Sequence, residues 1–318
     1  MNSSKPAPVK GITFFTPPPG TVVSGLDGNV RITCGEFPLP LLDEDFASMD
    51  GEGPTYDMVG RGVYHVLRAD PDCLHGARYA EMLRDAYPHY LAELATHIVM
   101  LDKKDVEISY LDRKINYLKI FALLEPDNGQ LQYSIGTTYM EKGLRLSALH
   151  LATVTIYRAE RFLKRALELA PTDVNVLHKL GEFSYLVGRY DDAVRIWSDV
   201  LGRLDDPSAK LSRSRLERVT AGVTPRIPVV DYLEAVRVAL ECLERQEAQE
   251  AAAILLDVLD DAVFCQEFPL AEIPYFLGLC YREMSMPAYA EEYLQEALKL
   301  DPEHADARRV LEEIGQHS

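Results

Sequence analysis

EIPYFLGLCYREMSMPAYAEEYLQEALKLDP, residues 272–302, decides the fold of this chain. Ile273, Leu277, Cys280, Tyr281 and Met284 recur at the i, i+4, i+7, i+8, i+11 spacing of one helix face. Ala290, Leu294, Ala297 and Leu298 do the same for a second helix. Gly278 and Ala290 are both small, and two antiparallel helices approach closely only where small residues meet at the crossing. The stretch therefore predicts a helical hairpin closed by Pro302.

The same set recurs upstream. Leu180-Gly181 is followed by Gly188, Tyr190, Ala193, Trp197 and Val200. Gly181 to Ala193 is a step of 12 residues, as is Gly278 to Ala290. A less complete copy has Val238-Ala239, Cys242, Ala251, Leu255 and Val258, again with 12 residues between the small pair. An earlier copy has Ile135-Gly136, Tyr139 and Gly143, then Ala159, Leu163, Ala166 and Pro171. Lys114 to Leu124, ending at Pro126, reads as the second helix of one more unit. After Pro302, Ala307, Val310, Leu311 and Ile314 make one apolar stripe backed by charge. That is the solvating cap a repeat stack needs.

These residues resemble the tetratricopeptide repeat family, whose unit of about 34 residues is a helix–turn–helix with a Leu-Gly, Tyr, Ala, bulky apolar, Ala and Pro pattern. The resemblance runs from about Asp102 to Ser318. It is fullest in 173–206 and 270–302, partial in 129–171 and thinnest in 232–264. The expected class is all-α: a helix-turn-helix repeat solenoid, TPR-like and superhelical, with an irregular Pro/Gly-rich N-terminal extension. The expected division is an irregular arm over 1–56, N-terminal helices over 57–101, and the repeat array with its capping helix over 102–318. A linker is expected near 207–230.

The arm holds Pro6, Pro8, Pro17, Pro18, Pro19, Pro38, Pro40 and Pro54 among many glycines, which forbids a long helix. Val30 to Cys34 reads as a short strand. Phe37 to Leu42 reads as an apolar extended segment that lies against the body, and occupation of the repeat groove by it is left open. Segments near 57–68, 72–86 and 88–102 read as helices. Two irregularities stand out in the array. Gly136 to Ala159 is 23 residues, a surplus of about three helical turns. One overshooting helix, Leu144 to Leu169, is expected there. Residues 207–230 carry Lys210, Arg213, Arg215, Arg218 and Arg226 against Glu217. This basic stretch either folds back on the chain's own acidic surface or meets an acidic or phosphorylated partner.

The net charge is −17, which repels nucleic-acid backbones and anionic membranes and favours basic partners. No apolar run is long enough to cross a membrane, and Met1 to Phe15 has no apolar stretch after Lys5 and Lys10, so a secretory signal is not expected and cytoplasmic residence is. Cys34, Cys73, Cys242, Cys265 and Cys280 form neither a disulfide framework nor a zinc ribbon. Metal-protease, P-loop, nucleophile-elbow, EF-hand and dinucleotide patterns are all missing, so no catalytic residue, cofactor or metal is expected.

In the family that these repeats resemble, the first helices line a concave groove. Carried over, the resemblance implies a partner-binding surface of Tyr133, Thr137 and Met140, then Asn175, His178, Glu182 and Tyr185, then Tyr275, Leu279 and Arg282. Val236, Leu240 and Leu243 are the matching positions of the thinnest repeat. The Lys and Asn clamp by which some members grip chaperone tails is absent, since its slots hold Tyr133, Thr137, His178 and Glu182. The expected function is a non-catalytic protein-protein interaction scaffold or adaptor that binds a protein or peptide in the groove, with homo-oligomerisation open. The alternatives are a regulatory or assembly subunit docked through the arm and, less favoured, an enzyme with its site in residues 1–100.

Overall fold

The computed structural model describes residues 7–25, 30–34, 37–49, 53–102, 108–145, 152–204 and 207–317. The chain divides into two compact units, residues 1–138 with 168–170 and residues 139–167 with 171–318. The expected boundary at 101/102 lies elsewhere than this division.

The first unit begins with β1 (Ile12–Phe15), β2 (Val22–Ser24), β3 (Arg31–Thr33), β4 (Leu39–Leu42) and a short α1 (Asp43–Ser48). β1 pairs antiparallel with β4, Ile12 opposite Leu42, and β2 pairs with β3, Val23 opposite Ile32. Four helices follow: α2 (Tyr56–Ala69), α3 (Gly76–Ala86), α4 (Pro88–Asp102) and α5 (Ile108–Leu124). Thr55 caps α2 through the Met58 amide. Leu39 and Leu41 are fully buried, sharing a core with Val59, Val63, Leu67, Leu83 and Leu94. The closest approach is at Gly62, where a Cβ would overlap the Pro40 carbonyl. The segment expected to lie against the body is thus part of the core. α5 starts six residues before the expected Lys114 and packs on α2, α3 and α4.

α6 (Gly129–Gly143) runs across the division between the units. The second unit continues with α7 (Ala152–Leu169), α8 (Val174–Leu186), α9 (Tyr190–Val200), α10 (Pro207–Thr220), α11 (Val229–Glu244), α12 (Ala248–Leu259), α13 (Ala262–Glu267), α14 (Glu272–Glu283), α15 (Pro287–Leu300) and α16 (Ala305–His317). α8 packs on α9, α11 on α12, and α14 on α15. Asp173 caps α8 through the Asn175 and Val176 amides, at 2.8 and 3.2 Å.

The three hairpins share one turn. Gly188, Gln246 and Ser285 each follow the small residue of their first helix, Gly181, Ala239 and Gly278, by seven positions, and each has a positive φ, of 76, 63 and 60°. Each turn closes with the same pair of bonds. Gly188 N to Tyr185 O and Arg189 N to Ser184 O match Gln246 N to Leu243 O and Glu247 N to Cys242 O. Ser285 N to Arg282 O and Met286 N to Tyr281 O complete the set. This is the Schellman arrangement, which satisfies the last helical carbonyls and reverses the chain. The small residues sit where expected: a Cβ on Gly278 would lie 2.7 Å from Leu294, and one on Gly181 would strike the Trp197 indole. The fold is an all-α, tetratricopeptide-like stack of helix-turn-helix units.

Two expectations are corrected. The helix predicted over 144–169 begins at Ala152, and Leu144 instead closes a turn on the Met140 carbonyl at 3.2 Å. Positions 146–151, with Leu146, Leu149 and Leu151, fall outside the described residues. The 207–230 linker is largely a helix, α10. Proline at its first position costs no hydrogen bond there, and its last turn closes on Gly222.

Candidate functional site

α8 presents a face of alternating aromatic and polar side chains, and α10 covers it. His178 is buried, with Nε2 2.9 Å from the Ser212 hydroxyl. Tyr185 is buried and donates its hydroxyl to Glu267 Oε2 at 2.5 Å. The same carboxylate accepts from Arg215 Nε and, at 2.6 Å, from Arg218 Nη2. The Arg215 guanidinium lies 4.8 Å above the Tyr185 ring. Burial first, and then the Glu267 carboxylate, push the Tyr185 phenol far above its ordinary range, so it remains a neutral donor. Beside this cluster, Tyr190 Oη and Arg218 Nε are buried without a hydrogen-bond partner among the described residues.

A second polar anchor fixes the chain after α10. Asp261 accepts from the Arg226 amide and the Tyr232 hydroxyl, both at 2.6 Å, and caps α13 through the Val263 and Phe264 amides. Arg226 also reaches Asp260 at 3.2 Å. The basic stretch therefore folds back on the chain's own acids.

The expected partner-binding residues separate into two groups. Met140, His178 and Tyr185 are buried, which corrects their reading as groove surface. For His178 and Tyr185 the physical reason is α10, whose helical character the sequence hid behind its charge. At the other end, the Tyr275 ring lies 4.7 Å from that of His304 in a tilted arrangement, Leu279 packs on the cluster around Ala307 and Val310, and Arg282 pairs with Glu313 at 3.3 Å. The α14 face is thus shared with α16. Asn175 and Arg282 remain exposed, while Tyr133, Thr137, Glu182, Tyr275 and Leu279 are partly exposed. The Thr137 hydroxyl is nevertheless buried without a described partner, and Glu182 pairs with Lys179. In the thinnest repeat Val236 is buried, whereas Leu240 and Leu243 are partly exposed.

One group of metal-capable side chains occurs among the described residues: Cys242, Glu247 and Glu250, with donor atoms within 4.8 Å of one another. Arg245 already neutralises it, donating to Glu247 at 2.9 Å and to Cys242 Sγ at 3.4 Å. No described helix is long and apolar enough to cross a membrane.

No family model and no curated protein matches the chain. Among solved structures it is similar to the MamA protein, with 17% identity, 67% of this chain and 94% of that one covered, and a TM-score of 0.26. It is also similar to YrrB, described as a TPR protein with an unusual peptide-binding site, at 15% identity, 70% and 88% coverage and a TM-score of 0.24. A tetratricopeptide repeat protein from Parabacteroides merdae shows 13% identity, 81% and 91% coverage and a TM-score of 0.27. The repeat assignment stands on the chain's own hairpins and their three matching turns.

Proposed function

We propose that this chain is a non-catalytic interaction scaffold that receives a protein segment on the first-helix faces its own chain leaves open. The observation that supports this most is the set of matching rigid hairpins in the second unit. Their first helices still carry exposed or partly exposed side chains (Asn175, Glu182, Leu240 and Arg282) beside buried anchors. Side chains fixed on packed helices bind at small entropic cost, because the frame is ordered beforehand. The overall charge of −17 favours a basic segment and predicts binding that weakens with salt. The rival reading, docking through the N-terminal arm, has less apolar surface to use, because Leu39 and Leu41 are spent in the first unit's core.

Tagged co-purification from the native host at moderate salt, followed by reconstitution with the purified partner, tests this. The control carries Asn175→Ala, Glu182→Ala, Leu240→Ala and Arg282→Ala together; none of these side chains is fully buried. A stoichiometric partner whose affinity falls at least about tenfold in the control supports the scaffold reading. A partner held equally by both proteins, or no stoichiometric partner, overturns it.

A further inference from the structure

A cavity of about 200 Å³ opens between α2, α4 and α5 of the first unit. Its floor and one wall are apolar or aromatic: Met100 and Leu101 from α4, Tyr110 and Tyr117 from α5. His97 adds a ring 6.1 Å from that of Tyr117. Two guanidinium groups complete the lining, Arg68 from α2 and Arg113 from α5.

The charges of these two arginines decide the chemistry of the cavity. Among the described residues neither has a carboxylate partner. Arg68 donates Nε to the Tyr117 hydroxyl at 3.3 Å and lies 5.0 Å from the Tyr64 ring and 5.6 Å from that of Tyr117. Arg113 rests 5.4 Å from the Tyr110 ring. Glu93, the acid that Arg68 senses at longer range, accepts the Tyr64 hydroxyl at 2.7 Å instead. In a chain with 50 acidic and 33 basic residues, arginines elsewhere find acids readily, as Arg61, Arg189, Arg215 and Arg226 do. Two that converge on one apolar cavity without an acid leave a site complementary to an anion.

The dimensions limit the ligand. The volume lies below the ~300 Å³ at which drug-sized pockets begin, so the cavity suits a group about the size of one side chain. Aromatic walls accept a flat apolar body, and a guanidinium fork matches the two oxygens of a carboxylate. We propose that this cavity binds the carboxylate of a ligand with a flat apolar body, supplied either by a free aromatic acid or by the C-terminal residue of a peptide. Arg113, exposed at the rim, makes first contact. Arg68, half-buried and held by Tyr64 and Tyr117, fixes the oxygen position. This site is separate from the hairpin faces of the second unit and does not depend on their use.

Calorimetric titration of the full chain with N-acetyl-phenylalanine and with its amide tests the assignment. The free acid is expected to bind about tenfold more tightly than the amide, the usual consequence of one charge-assisted hydrogen-bond pair. Arg113→Gln, on an exposed side chain, is expected to remove that preference for the acid over the amide while leaving the thermal melt unchanged. A short peptide ending in free phenylalanine separates the two sources. Tighter binding than the acid assigns a chain terminus, and equal binding assigns a free acid. Acid and amide binding alike, no saturation by the acid up to about 10 mM, or an unaffected Arg113→Gln protein would each overturn the proposal.

Discussion

Replacing Glu267 with glutamine should release α10 from α8 while the rest of the second unit remains folded. The side chain of Glu267 is 1% exposed and accepts from Arg215, Arg218 and Tyr185. α10 is otherwise held on α9 and by Arg213, which donates to the Leu201 and Leu204 carbonyls at 2.9 and 2.6 Å. Its fully buried residues, Ala209, Ser212 and Arg215, offer little apolar area, and Leu216 and Val219 beside them are only partly buried. Removing one partner of a buried ion pair costs about 3–5 kcal/mol, because the remaining charge is stranded. Arg218 is 26% exposed, so water takes up part of its charge. Glutamine also retains one acceptor oxygen. The expected loss is therefore about 3 kcal/mol, at the lower end of that range. At about 2–4 °C per kcal/mol for a unit of this size, the melting temperature should fall by about 6–12 °C.

Two readouts locate the effect. Trp197, the sole tryptophan, is buried with its ring 5.7 Å from that of Tyr185, and its emission reports the unit's unfolding. Hydrogen exchange read by mass spectrometry should show protection lost across residues 207–220 well before residues 287–300. A loss below about 1 kcal/mol with unchanged exchange in α10 would refute the reasoning and place the hold on α10 in packing instead.

Three further outcomes are expected. Gln246→Gly and Ser285→Gly should each stabilise the chain by about 0.5–1 kcal/mol in urea titration, since a left-handed residue with a Cβ carries about 1–2 kcal/mol of strain and glycine returns part of that gain as entropy; destabilisation would mean that the side chains make contacts of their own. Burial works to raise the pKa of Asp261, but hydrogen bonds from Tyr232 and the Arg226, Phe264 and Val263 amides outweigh it and hold the carboxyl below its ordinary value. A depressed carboxylate contributes stability that is present above its unfolded pKa and lost as pH falls through the folded one, so stability should drop below about pH 4, and Asp261→Asn should flatten that part of the profile; an unaltered acid limb in the variant would count against this. Gly62→Ala should cost at least about 3 kcal/mol, because the new methyl meets the Pro40 carbonyl backbone rather than a movable side chain; a near-wild-type melt would show that β4 can shift off α2.

The hairpins were legible because close helix packing restricts residue type. Only a small residue fits beneath Trp197 or Leu294, so Gly181 and Gly278 mark the crossings in the sequence itself. The shared turn was half legible. Gly188 advertises its left-handed backbone, but Gln246 and Ser285 occupy the same conformation with residues that carry no such signal. The buried state of His178 and Tyr185 was not legible at all. The helix that covers them, α10, lacks an apolar stripe, and helical periodicity is read from apolar residues. Its contact is made by charge, and a charge's partner, here Glu267 some fifty residues away, is set by tertiary structure. The uncompensated Arg68 and Arg113 escape notice for the same reason, since only the fold shows which arginines have found an acid.

That polar cover bears on what the second unit can bind. Any segment that is to reach Tyr185 and His178 must displace α10, which would carry Arg215 and Arg218 away and leave the buried Glu267 carboxylate of α13 without its cations. A stranded, desolvated carboxylate is costly, so the competitor must supply a cation of its own at that point. The overall charge of −17 attracts basic segments, and these bring the cation that Glu267 would require. An acidic segment would meet that carboxylate as a like charge and repulsion from the rest of the surface as well. Long-range attraction and local exchange therefore favour the same ligand at this place, and such a ligand must still match the two guanidinium contacts that α10 makes with Glu267.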